Sequence, residues 1–337
     1  MISTAIIGCG MSARTFHLPL LAANPDFHLT ALVSSKSHPD LQVTRYETAT
    51  KMLAQSDVEL VIITTPNTTH YALAKECLQQ GRHVVLEKPM VNCVSEGEAL
   101  ITLAAKHKCL LSVFHNRRWD SDFLTLKRLL HKGTLGELRL FVSHWDRFRP
   151  EVRNRWRENQ GEGAGIWYDL GAHLLDQVLV LFGMPQAVTG HCRALRPAGL
   201  ATDYAHVQLH YDNFEVILHT SPFACAPNSR FRVEGSAGTF VQEGLDGQEA
   251  QLKAGIMPYD DAYGVVPSTQ WGTFYTPDGY AHKIPSERGD FPFFYRNLAA
   301  AIRGEASLAV STEAALQVIY LIELAQRSSD EGRRIIL

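Results

Sequence analysis

The sequence predicts an α/β fold in two parts. The first is an N-terminal doubly wound parallel sheet; the second is an α+β domain carrying a large, open, mostly antiparallel sheet. Three observations predict it. Over the first third, short apolar runs alternate with helical stretches, which is the pattern of βαβ crossovers. The first of those runs ends in Gly8 and Gly10, with Ala13 beyond them. From about residue 119 the rhythm changes to strand-like runs separated by hairpin signals. A length of 337 residues also exceeds one average domain. We place the division at residues 1–118 and 119–337.

Residues 3–8 read S-T-A-I-I-G, an apolar run that fits a buried parallel strand. Residues 12–23 read as a helix, stopped by Asn24-Pro25. Residues 27–33 form a second strand, and between 41 and 58 we expect a short strand and a helix. Residues 60–64 (L-V-I-I-T) are the fourth strand. Residues 67–80 are helical, with Gly81 as the stop. Residues 83–87 (H-V-V-L-E) are a strand. Residues 95–108 are a helix opening on a capping box, Ser95 with Glu98. Residues 110–114 complete the sheet.

Ligands of such sheets bind beyond the carboxyl ends of the strands, so the residues there carry the function. After the first strand stands Gly8-x-Gly10-x-x-Ala13, with Met11 and Ser12 inside the turn. The glycines permit a tight turn and close approach of backbone to a pyrophosphate. Ala13 lets the helix pack on the strand, and the first helical N–H groups meet the phosphates. After the second strand stands Ser34-Ser35-Lys36. An NAD enzyme usually places Asp or Glu here for the ribose 2′-hydroxyl. With no carboxylate to repel a 2′-phosphate, two hydroxyls and an ammonium suit one. The same residues also suit a solvated turn. We read NADP(H) as the preferred cofactor, with NAD(H) as the alternative.

Thr65-Pro66-Asn67 and His70 follow the fourth strand, where a nicotinamide ribose would lie. Simple helix capping by Asn67 is the other reading. Glu87-Lys88-Pro89 follows the fifth strand and puts a lysine just past a buried run; a surface lysine at a loop start is the alternative. His115-Asn116-Arg117-Arg118 ends the domain, and Asn116 is a candidate substrate contact.

Composition narrows the function. Hydrophobic residues make up 45% and charged residues 20%, ordinary for a soluble protein able to bury its own cores. A net charge of −3 argues against a nucleic-acid partner. The cysteines Cys9, Cys77, Cys93, Cys109, Cys192 and Cys225 show no C-x-x-C pair and no zinc-finger spacing. That pattern fits free thiols in a reducing compartment and no metal site. With neither a signal-peptide pattern nor an 18-residue apolar run, we expect a cytoplasmic protein with no membrane span.

In the second part, residues 138–145, 187–194, 205–211, 215–220, 231–234 and 239–242 read as strands. Asp212-Asn213 and Ser236-Ala237-Gly238 are hairpin connections, so the sheet is largely antiparallel. Alternation along His206-Val207-Gln208-Leu209-His210-Tyr211 gives one buried and one more polar face. The polar face needs water or a partner, and we expect a homodimer or higher homo-oligomer through it. Residues 244–289, rich in Gly, Pro and Asp, read as irregular with weak strands at most. Residues 291–302 and 312–327 are helical.

Asp169 and His173 are four apart and share a face on a helix starting near Asp169. Taken alone, Asp169 reads equally as an N-cap and His173 as a core histidine. Arg147, Arg149, Arg153, Arg155 and Arg157 crowd one stretch with Phe148 and Trp156. Net negative charge favours a loop with ion pairs over a nucleic-acid patch. Its place before Asp169 puts it near the substrate mouth, with Arg155 and Trp156 as candidate substrate contacts.

Together, G-x-G-x-x-A, T-P-N-x-x-H, E-K-P at 87–89 and Asp169-x-Gly171-x-His173 resemble the glucose-fructose oxidoreductase/inositol dehydrogenase (Gfo/Idh/MocA) family over nearly the whole chain. The spacing of E-K-P to D-x-G-x-H carries more than the glycine string. Residues 115–122 and 168–173 resemble a bacterial branch that includes NADP(H)-dependent scyllo-inositol dehydrogenases. The resemblance implies a Rossmann domain and a sheet domain that commonly forms the oligomer interface. It implies a cis Lys88–Pro89 bond and a catalytic group of Lys88, Asp169 and His173. The chemistry fits: oxidising an alcohol needs hydride transfer to nicotinamide and removal of the hydroxyl proton. A histidine suits that proton near neutral pH, and a lysine stabilises charge on the reacting oxygen. The expected function is therefore an oxidoreductase acting on a CH–OH group of a small polyol, inositol, sugar or related carbonyl. The alternatives are a non-catalytic NADP(H)-sensing regulator and a reductase of an aromatic diol or imine.

Overall fold

The computed structural model describes residues 1–337 except the side chain of Trp156. The chain divides into two compact units. The first comprises Met1–Asn116, Gln248–Tyr263 and Asp290–Ile319; the second comprises Arg117–Gly247, Gly264–Gly289 and Tyr320–Leu337. Two stretches that the sequence reading left in the C-terminal half therefore belong to the first unit.

The first unit holds a six-stranded parallel sheet of β1 (Ile2–Ile7), β2 (Phe27–Val33), β3 (Thr44–Tyr46), β4 (Leu60–Ile63), β5 (His83–Leu86) and β6 (Leu111–Val113). The strand order β3-β2-β1-β4-β5-β6 is that of the Rossmann fold. All four residues of β4 are fully buried, as expected of a strand covered by helices on both faces. Its helices are α1 (Leu18–Ala22), preceded by a π turn at Ala13–His17, α2 (Ala49–Gln55), α3 (His70–Gln79) and α4 (Val94–His107). The short strand and helix expected between 41 and 58 are β3 and α2. The capping box expected at Ser95 does not form, because α4 starts at Val94 and no side chain caps it. The carboxylate of Glu96 instead accepts the N–H of Asn92 at 3.3 Å.

The second unit begins with α5 (Ser121–His131) and β7 (Leu138–His144), followed by α6 (Ala172–Phe182), which a π turn at Trp167–Gly171 opens. Then come β8 (Ala187–Arg193), β9 (Tyr204–His210), β10 (Glu215–Thr220), β11 (Ser229–Gly235) and β12 (Gly238–Glu243). The second unit resumes with β13 (Gly272–Tyr275) and β14 (Ala281–Ile284), and ends with β15 (Ile335–Ile336); α7 (Gln248–Lys253) and α8 (Pro292–Ile302) fall in the first unit, and α9 (Thr312–Glu331) counts with the second from Tyr320 onward. Nine of these strands form one sheet in the order β14-β13-β12-β11-β7-β10-β9-β8-β15. It is antiparallel apart from β10 beside β7. Residues 244–289 thus hold two four-residue strands, within the expectation of irregular chain with weak strands at most, and one helix that was not expected; six residues of α7 are too few for a helical period to stand out. No helix among the described residues is long and apolar enough to cross a membrane.

Candidate active site

The glycine turn lies between β1 and the π turn. Gly8 sits at φ +93°, and a Cβ there would meet the Thr65 methyl at 3.0 Å and the Thr64 hydroxyl at 3.1 Å. Both the backbone conformation and the crowding therefore require glycine. A Cβ at Gly10 would meet nothing within 4 Å, so the turn is open there. No side chain caps the helical segment that follows; the Ser12 hydroxyl, which could have done so, donates to the Glu87 carboxylate instead. Ala13 is fully buried, as its packing role demands, and Met11 is exposed. An open turn leading into an uncapped helical start fits a dinucleotide pyrophosphate.

At the end of β2, the Ser34 hydroxyl pairs with His38 Nε2 at 2.9 Å and accepts the N–H of Lys36 at 3.1 Å. Arg45 donates to the Ser34 carbonyl at 2.9 Å. Ser35 and Lys36 are exposed. The structure corrects one expectation: this turn is not free of acid. Asp40 folds back to it and is held by Arg14 at 2.8 Å. The separation of Asp40 from the strand end hid it in the sequence.

Thr65 and Thr69 join hydroxyls at 2.6 Å, and Asn67 is buried in a single 3-10 turn. His70 was expected beside a cofactor, but it is only 1% exposed. Its Nδ1 faces the carbonyls of Pro89 and Met90 at 3.0 and 3.3 Å, and Nε2 faces that of Thr65 at 3.1 Å. His70 thus ties the T-P-N turn to the E-K-P turn from beneath. Burial, against these carbonyls and the Glu87 charge, pulls its pKa down.

The Lys88–Pro89 peptide is cis, and Lys88 is half-buried. Glu87 is the hub of the turn. Its carboxylate pairs with His17 Nε2 at 3.0 Å, accepts the Ser12 hydroxyl and accepts the Lys88 N–H at 3.1 Å. His17 Nδ1 meets the Tyr295 hydroxyl at 2.5 Å, and its ring lies 4.4 Å from Phe114. Burial pushes the Glu87 carboxyl up, but His17, Ser12 and the Lys88 charge outweigh it and hold the group down to about 2. The sequence reading missed His17 and Tyr295. Nothing in periodicity signals a buried histidine four residues beyond Ala13 or its partner on α8. Asn116, a candidate substrate contact, is only 4% exposed.

Asp169 and His173 belong to the second unit. Asp169 lies within the π turn rather than at an N-cap, and π turns are frequent at functional positions. Gly171 is required there: a Cβ would stand 2.4 Å from the Trp167 ring. Arg157 Nε lies 3.7 Å from Asp169 Oδ1, and the Arg157 carbonyl accepts the Gly165 N–H just before the turn. The arginine-rich stretch therefore engages Asp169 through Arg157. Arg155, the arginine favoured from the sequence, is exposed, and the side chain of Trp156 lies outside the described residues. His173 is buried and stacks on Trp145 with ring centres 5.3 Å apart. Trp145 in turn lies 5.2 Å from the Arg117 guanidinium and 5.1 Å from that of Arg230. The stack locks the imidazole plane on a scaffold that sequence spacing could not show.

The comparisons with known proteins agree with this anatomy. Residues 2–115 match the family model described as "Oxidoreductase family, NAD-binding Rossmann fold", and residues 127–337 match the "Oxidoreductase family, C-terminal alpha/beta domain". The chain is similar to the oxidoreductase YdgJ of Escherichia coli strain K12. The two are 41% identical over 351 aligned positions, covering 100% of this chain and 99% of that protein. It is also similar to scyllo-inositol 2-dehydrogenase (NADP(+)) IolW of Bacillus subtilis strain 168, 39% identical, covering 100% of this chain and 96% of the relative. The solved structure of the oxidoreductase YvaA from Bacillus subtilis matches with a TM-score of 0.96 at 39% identity, covering 100% of this chain and 98% of that one.

Proposed function

The chain belongs to the Gfo/Idh/MocA oxidoreductase family, and on that premise we propose that it is an NADP(H)-preferring, cytoplasmic dehydrogenase of a small polyol, an inositol first among them. The observation that carries the cofactor reading is the set of groups around Ser34: a hydroxyl, the exposed Lys36, and the side chains of His38, Arg14 and Arg45. Such a donor-rich turn suits a 2′-phosphate. The substrate class is supported by the similarity to IolW.

Bound NADP(H) supplies or accepts the hydride at its nicotinamide. The chain's own residues do the rest. His173, its ring plane fixed by Trp145, takes the substrate hydroxyl proton in oxidation and returns it in reduction. Lys88 donates a hydrogen bond to the reacting oxygen and stabilises its developing charge. Asp169, steadied by Arg157, accepts hydrogen bonds from neighbouring hydroxyls.

The test is a screen of inositols and other polyols with NADP and NAD, followed at the nicotinamide absorbance. We expect kcat/KM with NADP to exceed that with NAD by about tenfold or more, equivalent to roughly 1.4 kcal/mol. His173→Ala should cut turnover about 100-fold while NADPH still binds. A tenfold preference for NAD sinks the cofactor reading. Saturable NADPH binding without turnover on any substrate points to a sensor instead.

A further inference from the structure

We propose that Arg14 is the residue that reads the adenosine 2′-phosphate, and that Asp40 competes with the phosphate for it. The proposal rests on the NADP(H) reading and goes beyond it, since neither residue lies in the G-x-G-x-x-A or the Ser34–Lys36 segment. Arg14 follows Ala13 directly, so its backbone leaves the glycine turn. Its side chain stays close enough to that turn for its charge to oppose the burial that raises the Cys9 thiol's pKa. It also reaches across to the loop after β2. There Nη1 is 2.8 Å from Asp40 Oδ2, Nη2 is 3.2 Å from Oδ1, and Nη2 is 2.8 Å from His38 Nδ1. The guanidinium therefore bridges the two places that a dinucleotide's adenosine half must touch: the glycine turn and the end of the second strand.

Donor and acceptor roles then follow in one direction. A guanidinium only donates, so His38 Nδ1 accepts and Nε2 carries the proton. Nε2–H donates to the Ser34 hydroxyl oxygen, which also accepts the Lys36 N–H. With its oxygen accepting twice, the Ser34 hydroxyl has its own proton left to give. A phosphate arriving beside Ser34 would find that O–H, the guanidinium fork of Arg14 and the ammonium of Lys36. It would also find one opponent, the carboxylate of Asp40.

Exchange decides the selectivity. The Arg14 and Asp40 side chains are 43% and 54% exposed, so their ion pair is hydrated and weak. A phosphate carries more charge than a carboxylate and takes a guanidinium in the same two-pronged geometry. With NADP(H), Arg14 turns from Asp40 to the phosphate. With NAD(H), only a hydroxyl is present and Arg14 stays on Asp40. Without Arg14, Asp40 faces the phosphate unneutralised.

The experiment measures equilibrium binding of NADPH and of NADH to the full chain by nicotinamide fluorescence, with no substrate needed. Arg14→Ala should weaken NADPH about tenfold or more and NADH less than about threefold. Arg14→Lys, which keeps the charge but loses the fork, should fall between Arg14→Ala and the parent chain. Asp40→Asn should tighten NADPH severalfold and leave NADH unchanged. Unaltered melting of these surface variants confirms that binding alone has moved. Equal weakening of both cofactors in Arg14→Ala, or of neither, overturns the proposal. So does an Asp40→Asn variant that loses NADH but not NADPH, because Asp40 would then be holding a ribose hydroxyl. The parent chain's own preference is read in the same titration. If it binds NADH more tightly, the NADP(H) reading fails, while Arg14 is still judged on whether its removal moves NADPH alone.

Discussion

Glu87 shows how one residue ties stability to the site. An isolated buried carboxylate would be costly, and this one persists because His17, Ser12 and Lys88 all favour its charge. Its folded value of about 2 lies below the ordinary 4.5. A depressed carboxylate contributes stability that is fully present above its unfolded value and is lost as pH falls through the folded one. The window is therefore about pH 4.5 down to 2, with a contribution of order 3 kcal/mol. Glu87→Gln should flatten the fall in melting temperature between pH 5 and 2.5 relative to the parent chain. Equal acid slopes in the two proteins would remove Glu87 from the account. Only part of this was legible beforehand. E-K-P announced Glu87 and Lys88, but the sequence could not say that Glu87 turns inward to His17 while Lys88 stays half-buried.

At the scale of elements, apolar runs and glycines carried the reading, and they worked wherever burial was the only demand on the chain. β4 and β5 stood out because every residue or nearly every residue is apolar and buried. The capping box at Ser95 misled because the helix started a residue earlier, and local chemistry cannot rank two adjacent starts. Glycines in β8 and in the π turn were legible as letters but not as contacts. Gly190 shows the difference: a Cβ there would stand 2.0 Å from the Ala325 carbonyl oxygen of α9. Helix and strand would have to separate, since backbone cannot yield as a side-chain tip can. Gly190→Ala should therefore cost about 3 kcal/mol, seen as a lower melting temperature. Gly161→Ala, where a Cβ meets nothing within 4 Å, should stay within about 0.5 kcal/mol of the parent. Similar melting of the two variants would contradict close packing of β8 on α9.

For the whole molecule, the fold class was readable, but the membership of each unit was not. α8 joins the first unit through Tyr295, which packs its ring 5.4 Å from Phe27 and bonds His17. Contacts across more than 250 residues leave no mark in local periodicity. The nine-stranded sheet raises the question of assembly. One of its faces is buried by Phe141, Val207, Leu209, Val216 and Leu218. The other carries Ile217 and Val142 beside an unexpected row of histidines. His191, His206, His219 and His144 stand directly opposite one another on four neighbouring strands. The same face also carries Glu215 beside His210 and the Arg232–Glu234 pair, so these charges are matched within the sheet, and a broad, half-apolar face of this kind suits a second copy of the chain. We expect an oligomer at neutral pH, and Ile217→Asp should yield monomers in light scattering. Acid should act on the same face. Burial holds His206 and His219 below the ordinary 6.5; the neighbouring histidines reinforce this, and Asp146, 3.7 Å from His219, opposes it in part. At pH below that value these two gain charge, and cations facing one another in register repel and resist burial. The dissociation constant should rise as the pH is lowered from 7.5 to below the ordinary histidine value, since each imidazole that charges at the interface opposes association. A chain that stays monomeric at micromolar concentration and pH 7.5 would refute the assembly. An Ile217→Asp variant that still associates would move the interface to another face.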